Sequence, residues 1–422
     1  MARVVNDKEV GSSKAIKLLN DEQGGLLYEE GIATITFYKG DAASAAKALR
    51  EQLTRVVAAN PWVSGRLVRK GMVDNNLCLV HQVTPSPSDI DPIFASSSAY
   101  KPSSKTAYPT LLTGMYASKA VIVGSGTSLV DQPNKPVTLL TITESTEPNE
   151  FAVVFSMTHA IADGRTYYEI LKMLQPGAPV EPLSADRIQS FSEDMRDQCG
   201  RKELEWADKP SAQCMYTCAM MFAKPVKVFG FHLDQERVAA AKAKAIEGTN
   251  LPYVTTNDVI TSAFFNETQA RIGMMGMDCR NKIQGVVGNC AGNYVTALTL
   301  DPGTFGTPAL LREMLNTTPH VTTKMPLPSC CGWMAGKESA KFAMATNWAS
   351  FAGNLIQLPD AEMVIHLPVH NPAYCAYDLM VPFMSTPGKV GVICWTISTD
   401  EAGLREAMPV GESVSNDLFP QV

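Results

Sequence analysis

The alternation of apolar and polar residues predicts strands and helices in both halves of the chain. In the first half, apolar runs predict strands at 26–39, 62–69, 77–83, 137–143 and 151–158. A helix from residue 41 to about 59 carries Ala45, Leu49 and Leu53 on one face. The second half has predicted strands at 226–233, 283–287, 294–300, 363–367 and 390–396, and predicted helices at 234–247, 256–272 and 308–315. This mixture is typical of an α/β protein with mixed sheets.

Two segments lack such a pattern. Residues 1–25 are polar and are predicted to be partly loose, and residues 176–212 have the composition of a connector. A chain of 422 residues exceeds the size at which single hydrophobic cores stop growing. We therefore expect two domains, at 1–178 and 216–422, with a linker at 179–215.

The composition narrows the class of protein. A hydrophobic fraction of 45% with 18% charged residues describes a soluble globular protein. The net charge of −6 gives no basic surface for nucleic acid or anionic membranes. No apolar stretch is long enough to span a bilayer and no secretory signal is evident, so we expect a cytoplasmic protein. The 10 cysteines are scattered and suggest neither a zinc site nor a disulfide framework.

The segment 151–171 offers the best candidate chemistry. The apolar run at 151–158 predicts a buried strand that ends at His159. Asp163 and Gly164 interrupt the apolar run, and a helical pattern follows. An imidazole titrates near neutral pH, and a carboxylate four residues later can cap the helix or fix the turn. Taken alone, the segment is equally compatible with a hydrogen-bonded histidine at a strand end followed by a simple cap.

Four segments together resemble the BAHD acyltransferases and, more broadly, the chloramphenicol-acetyltransferase-like superfamily, which includes peptide-synthetase condensation domains. The turn from His159 to Gly164 matches the H-x-x-x-D-G signature at its three fixed positions. The other three segments follow the family's order: Pro61 to Leu67 (P-x-x-x-G-R-L), Asp258 to Asn293 (D-x-L-x-A, D-x-R and G-N) and Thr346-Asn-Trp348 (T-S-W). The family's D-F-G-W-G segment is missing after Trp348, so the resemblance is to a divergent member.

The resemblance implies two chloramphenicol-acetyltransferase-like domains joined by a crossover loop, with an active-site channel at their interface. It implies that His159 is the general base and that Asp163 is a structural, orienting residue paired with Arg280. Gly164 would leave room beside the donor. Thr346 and Trp348 would stabilise the oxyanion, although a buried tryptophan is as readily explained as core, and Asn293 would brace the interface.

The implied reaction transfers an acyl group from acyl-CoA, as co-substrate, to a hydroxyl or amine of a small-molecule acceptor. The implied enzyme is monomeric and uses no metal. Two alternatives stay open: a condensation-type transferase with a carrier-protein-bound donor, and a non-catalytic two-domain binding module.

Two other patterns predict no site. The glycines at Gly124 and Gly126 lack a third glycine and a following helix, which a dinucleotide site requires. His366 and His370 have the spacing of helical zinc ligands, but Pro368 between them disfavours a helix.

Overall fold

The structure, a computed structural model, describes residues 13–24, 31–70, 76–118, 121–132, 134–199, 225–317, 342–351, 355–371 and 377–420. Within these ranges every helix is too short or too polar to cross a bilayer.

The strand that leads to His159 is the middle strand of a mixed sheet of five described strands. The predicted strand at 151–158 is confirmed as β7 (Glu150–Thr158), and all of its residues are buried. β7 pairs antiparallel with a strand on each side. Because its residues are buried on both faces of the sheet, the strand is a nearly continuous apolar run. The order is β12 (Ala361–Val369), β2 (Gly31–Gly40), β7, β6 (Thr138–Glu144) and β5 (Phe94–Ser97). The chain thus returns to this sheet from its second half through β12.

A second, small antiparallel sheet includes residues of the polar segment 1–25. It contains β1 (Ser13–Lys17), β4 (Asn76–Gln82) and β3 (Arg66–Lys70), in that order. Part of the segment 1–25, which is predicted to be partly loose, therefore forms regular structure at 13–17. A 3-10 turn at Asn20–Glu22 follows β1, and Glu22 is fully buried. A distant arginine pairs with this carboxylate, and the local sequence gives no sign of that partner.

The third sheet lies in the second half. Its order is β10 (Val295–Leu300), β9 (Ile272–Asp278), β11 (Phe342–Ala345), β13 (Asp378–Thr386), β14 (Lys389–Thr396), β8 (Lys227–Leu233) and β15 (Val410–Ser413). β11 runs parallel to both of its neighbours, so this sheet is also mixed. One apolar cluster includes Phe37 of β2 and Val154 of β7 together with Phe383 of β13 and Trp395 of β14. The five-stranded and seven-stranded sheets therefore share part of their core.

The helices cover these sheets and begin at predictable caps. The predicted helix near 41–59 is confirmed as α1 (Ala42–Ala59), with Asp41 accepting from the Ala43 amide at 2.8 Å. The other helices among the described residues of the first half are α2 (Pro87–Ile90), α3 (Tyr108–Ser118), α4 (Gly126–Leu129), α5 (Gly164–Met173) and α6 (Phe191–Cys199). Those of the second half are α7 (Gln235–Ile246), α8 (Thr256–Glu267), α9 (Pro302–Phe305), α10 (Pro308–Asn316) and α11 (Glu401–Ala407).

Three element predictions are wrong for local reasons. The strand predicted at 62–69 begins only at Arg66, because Pro61–Ser64 form a 3-10 turn. The helix predicted at 256–272 ends at Glu267, because Gln269 adopts a left-handed φ of 53°, and β9 begins at Ile272. The strand predicted at 283–287 is a series of turns, in which Gly285 has a φ of 80°. Neither conformation suits a regular helix or strand.

The described part of the connector is anchored rather than free. Ser184 forms a parallel bridge with Cys290, and α6 packs Phe191 and Met195 into the second half's core. The division of the chain at 178 and 216 stays a prediction.

Candidate active site

The end of β7 presents a histidine in a tight turn at residues 159–163, which we call the catalytic turn after the role proposed for it below. His159 is half-buried, and its Nδ1 atom is buried without a hydrogen bond from the described part of the chain. The turn closes when the Ile161 amide donates to the Thr158 carbonyl at 3.2 Å. Asp163 ends the turn and caps α5, since its Oδ1 accepts from the Thr166 amide at 2.8 Å. The sequence H-x-x-x-D-G therefore folds as strand, turn and helix start.

The Asp163 carboxylate is fully engaged by groups other than His159. Arg280 donates from Nη1 to Oδ2 at 2.8 Å and from Nη2 to Oδ1 at 3.2 Å. The Tyr294 amide donates to Oδ2 at 3.1 Å. Both charged side chains of the ion pair are almost completely buried. The structure thus places Asp163 and Arg280 together in a bidentate pair, the geometry of a residue that fixes the turn.

Arg280 connects the turn to β9 through Asp278, the aspartate of its D-x-R motif, and to Arg165, which sequence reasoning did not single out. Its Nη1 also donates to Asp278 at 2.9 Å, and Asp278 in turn accepts from Arg165 of α5 at 2.7 Å. Burial alone would raise the pKa of Asp278, but the charge of Arg280 and the Arg165 hydrogen bond hold that pKa below its ordinary value. The start of α5 is therefore tied to β9 by two arginines. Arg165 directly follows the H-x-x-x-D-G signature, which is the signal that could have drawn attention to it.

Asn293 holds the backbone of His159. Its Nδ2 donates to the His159 carbonyl at 2.6 Å and to Glu22 at 3.1 Å. Because Nδ2 faces two acceptors, the orientation of the amide is defined by its hydrogen bonds. The Oδ1 atom of Asn293 is buried without a hydrogen bond among the described residues.

The structure brings Trp348 to the start of α5, beside Gly164, and places Thr346 beside β9. A β-carbon built on Gly164 would lie 3.7 Å from the indole Nε1 of Trp348. The Trp348 ring also meets Tyr168 of α5 edge to face, with 6.0 Å between centroids. The Thr346 hydroxyl lies 3.5 Å from where a β-carbon of Gly276 would stand. Among the described residues, Thr346 makes no side-chain hydrogen bond to the other predicted site residues.

His366 occupies a buried polar position between β12 and α5. Its Nδ1 lies 2.8 Å from the Thr36 hydroxyl and its Nε2 lies 3.3 Å from the Tyr168 hydroxyl. Burial lowers the pKa of His366 to about 3, so the ring is neutral at physiological pH. His366 lies on β12 rather than on a helix. The described residues contain no group of three or more side chains suited to holding a metal ion.

No protein-family model matches the chain, and no curated protein matches it in sequence. Solved structures do share its fold. TRI101 of F. sporotrichioides, in complex with coenzyme A and T-2, has a TM-score of 0.57 at 14% identity, covering 95% of this chain and 100% of that one. TRI101 of F. graminearum, with coenzyme A and deoxynivalenol, has a TM-score of 0.59 at 16% identity, covering 93% and 96%.

The first condensation domain of the CDA synthetase has a TM-score of 0.52 at 12% identity, covering 94% of each chain. The chain therefore has the two-domain chloramphenicol-acetyltransferase-like fold that is shared by acyltransferases and condensation domains. The fold class predicted from the sequence is confirmed.

Proposed function

We propose that this protein is an acyltransferase that moves an acyl group from an acyl-CoA thioester to a hydroxyl or amine of a small-molecule acceptor, with His159 as general base. One observation carries the proposal. His159 is a half-buried imidazole at the end of a buried strand, and the carboxylate of its turn is fully engaged by Arg280, Thr166 and Tyr294. His159 is thus the titratable side chain of this turn that is left for chemistry. The shared fold with TRI101, solved in complex with coenzyme A, supports the choice of donor.

In the proposed reaction, His159 removes the proton from the acceptor hydroxyl as its oxygen attacks the thioester carbonyl. The new carbon–oxygen bond forms as the carbonyl π electrons move onto oxygen. The tetrahedral intermediate then collapses, the carbon–sulfur bond breaks, and the thiolate takes the proton from His159. The enzyme is regenerated without a covalent acyl-enzyme.

The intermediate's oxyanion requires hydrogen-bond donors, and we propose Trp348 as one of them. A β-carbon built on Gly164 would lie at ordinary contact distance from the Trp348 indole, so a side chain larger than glycine would occupy the space beside the indole. We propose that Gly164, by lacking a side chain, leaves room for the acyl donor beside the turn. Thr346, two residues earlier, is proposed as the second donor.

A carrier-protein-bound donor is the second candidate, favoured by the fold shared with a condensation domain. Both donors present the same phosphopantetheine thioester, so the chemistry at His159 would be unchanged. A monomeric state and a cytoplasmic location remain predictions from the sequence.

The test measures free-thiol release from short, long and aromatic acyl-CoAs with a pooled library of alcohols and amines. Wild type is compared with His159→Ala and with the matched control His81→Ala, a half-buried histidine on β4. We expect acceptor-dependent release that falls by about 10²–10⁴-fold in His159→Ala and is retained in His81→Ala.

Each outcome has a defined meaning. Release that persists in folded His159→Ala would rule out the base. Thiol release only from an acyl-loaded carrier protein would show that the carrier protein, and not CoA, brings the acyl group. A folded protein that releases thiol from neither donor would favour the non-catalytic binding module.

A further inference from the structure

A second buried ion pair lies against the catalytic turn. Glu22 and Arg187 have no exposed side-chain surface. The Arg187 Nε donates to the two carboxylate oxygens of Glu22 at 2.8 and 3.1 Å. Glu22 follows β1, and Arg187 lies in the segment predicted as a linker, so neither residue belongs to the motifs identified in the sequence.

The remaining N–H groups of the Arg187 guanidinium donate hydrogen bonds to backbone carbonyls around the turn. Nη2 donates to the Ile161 carbonyl at 2.9 Å, and Nη1 donates to the carbonyls of Ala185 and Ala291 at 2.7 and 2.9 Å. Ile161 is two residues after His159. The Arg187 side chain therefore connects the catalytic turn, the predicted linker and the loop that precedes β10.

Glu22 is linked to His159 through the side chain of one residue, Asn293. Its Oε1 accepts from the backbone amide and from the Nδ2 of Asn293, at 2.9 and 3.1 Å. The same Nδ2 donates to the His159 carbonyl. The carbonyls of His159 and Ile161 are thus both held, one through Glu22 and Asn293 and the other directly by Arg187.

Gly292 lies between this ion pair and the Asp163–Arg280 pair. It has a φ of 134°, and a β-carbon there would lie 2.8 Å from Cζ of Arg187. The Gly292 carbonyl accepts from Arg280 Nη2 at 3.0 Å. A side chain at this position would displace Arg187, so glycine is required for the two arginines to approach the same backbone segment.

We propose that Glu22 and Arg187 are positioning residues for His159 in the proposed acyl transfer, and this role rests on that proposed function. A buried ion pair is generally no more stabilising than apolar residues of similar volume, so stability alone does not explain the pair. Its contacts fix two carbonyls of a five-residue turn. Small displacements of a catalytic group can cost about 10²-fold in rate.

The experiment separates two contributions of Arg187: its positive charge beside Glu22, and the additional N–H groups of its guanidinium that bind backbone carbonyls. Arg187→Lys keeps a cation for Glu22 but cannot also reach the Ile161 carbonyl, whereas Arg187→Met removes both interactions. Glu22→Gln, which keeps the shape of the side chain, is the second route if the Arg187 variants do not fold.

Glu150→Gln is the matched control. Glu150 is a buried carboxylate that accepts hydrogen bonds from Ser104 and Ser145. It begins the same strand, about 30 Å from His159 at the rise of a β-strand. It contacts no residue of the catalytic turn.

Two readouts are used: hydrogen exchange of the peptide that contains the amides of Ile161 and Asp163, and kcat and KM for the best acyl-CoA and acceptor. We expect Arg187→Lys to have a melting temperature close to that of Glu150→Gln and above that of Arg187→Met. Its turn amides should exchange at least about tenfold faster, and its kcat should fall about 10- to 100-fold with KM values changed less than about twofold.

Unchanged turn exchange and kcat in folded Arg187→Lys and Glu22→Gln would overturn the proposal. Equally fast turn exchange in Glu150→Gln would also overturn it, because the effect would then follow stability. If wild type transfers no acyl group, the proposed function fails by itself, and turn exchange alone decides whether the pair positions His159.

Discussion

Arg280 donates two hydrogen bonds to Asp163, of 2.8 and 3.2 Å, across 117 positions of the sequence. The pair joins the turn that follows β7 to the segment that follows β9, and both side chains are almost fully buried. Asp163 also caps α5 through the Thr166 amide. One carboxylate therefore fixes a helix start and connects two sheets.

Replacing Asp163 by asparagine is expected to destabilise the protein strongly. The change leaves Arg280 buried with Asp278 as its remaining carboxylate partner. Removing one member of a buried ion pair typically costs about 3–5 kcal/mol, because the other charge stays desolvated. Urea unfolding of wild type and Asp163→Asn measures the difference in the free energy of unfolding.

The control for this prediction is Glu401→Gln, which removes the half-exposed Glu401–Arg405 pair of α11. Helical pairs of this spacing contribute about 0.3–0.5 kcal/mol. A loss in Asp163→Asn no larger than in Glu401→Gln would contradict the assignment of Asp163 as a structural residue.

Much of the fold could be predicted because burial leaves a direct record in the pattern of apolar residues. β7, buried on both faces, is a continuous apolar run, and α1 shows its buried face at helical spacing. β13 is absent from the predicted strands, and it contains Pro382, a residue that normally argues against a strand. The Pro382 carbonyl accepts from the amides of Trp348 and Ala349, on the side where the pairing with β11 has already ended at Met380, so the missing N–H of the proline removes no hydrogen bond between strands.

The candidate site could be predicted only where a motif names its residues. His159, Asp163 and Arg280 belong to such motifs, and the structure brings Asp163 and Arg280 together. Glu22 and Arg187 have no local signal, because a charged residue in a polar segment is normally exposed. Their burial depends on tertiary pairing, which a pattern of single residues does not encode.

His366 predicts a pH-dependent term in stability. Burial lowers the pKa of this histidine from 6.5 to about 3, so the folded protein favours the neutral ring. The resulting stability is fully present above pH 6.5 and is lost as the pH falls toward 3. At pH 4.5 the loss from this group alone should be about 2–3 kcal/mol relative to pH 7.5.

Urea unfolding of wild type and His366→Gln between pH 7.5 and 4.5 tests this term. Glutamine does not titrate and can bond to Thr36 and Tyr168, so acid should destabilise the variant less than wild type by about 2–3 kcal/mol. The half-buried His81 supplies the control, and His81→Gln should flatten the profile less. Parallel profiles for wild type and His366→Gln would show that the folded protein accepts a charged His366.

Trp348 gives the sharpest test of the proposed oxyanion donors, because its ring and its N–H can be separated. In Trp348→Phe an aromatic ring remains beside Tyr168 and Gly164, but the indole donor is lost. We expect kcat to fall about 10²–10³-fold, the typical loss for one oxyanion-hole donor, with KM nearly unchanged. Steady-state kinetics with protein matched for folded fraction measure it.

Trp62→Phe is the matched control for removing an indole from the core. Trp62 is 2% exposed, and its Nε1 makes no hydrogen bond among the described residues. Its replacement should lower the melting temperature and leave kcat unchanged, because the lost N–H faces no reacting group. A Trp348→Phe enzyme with the kcat of Trp62→Phe would assign Trp348 to the core alone, since packing beside Gly164 would then account for its position without any contact to the oxyanion.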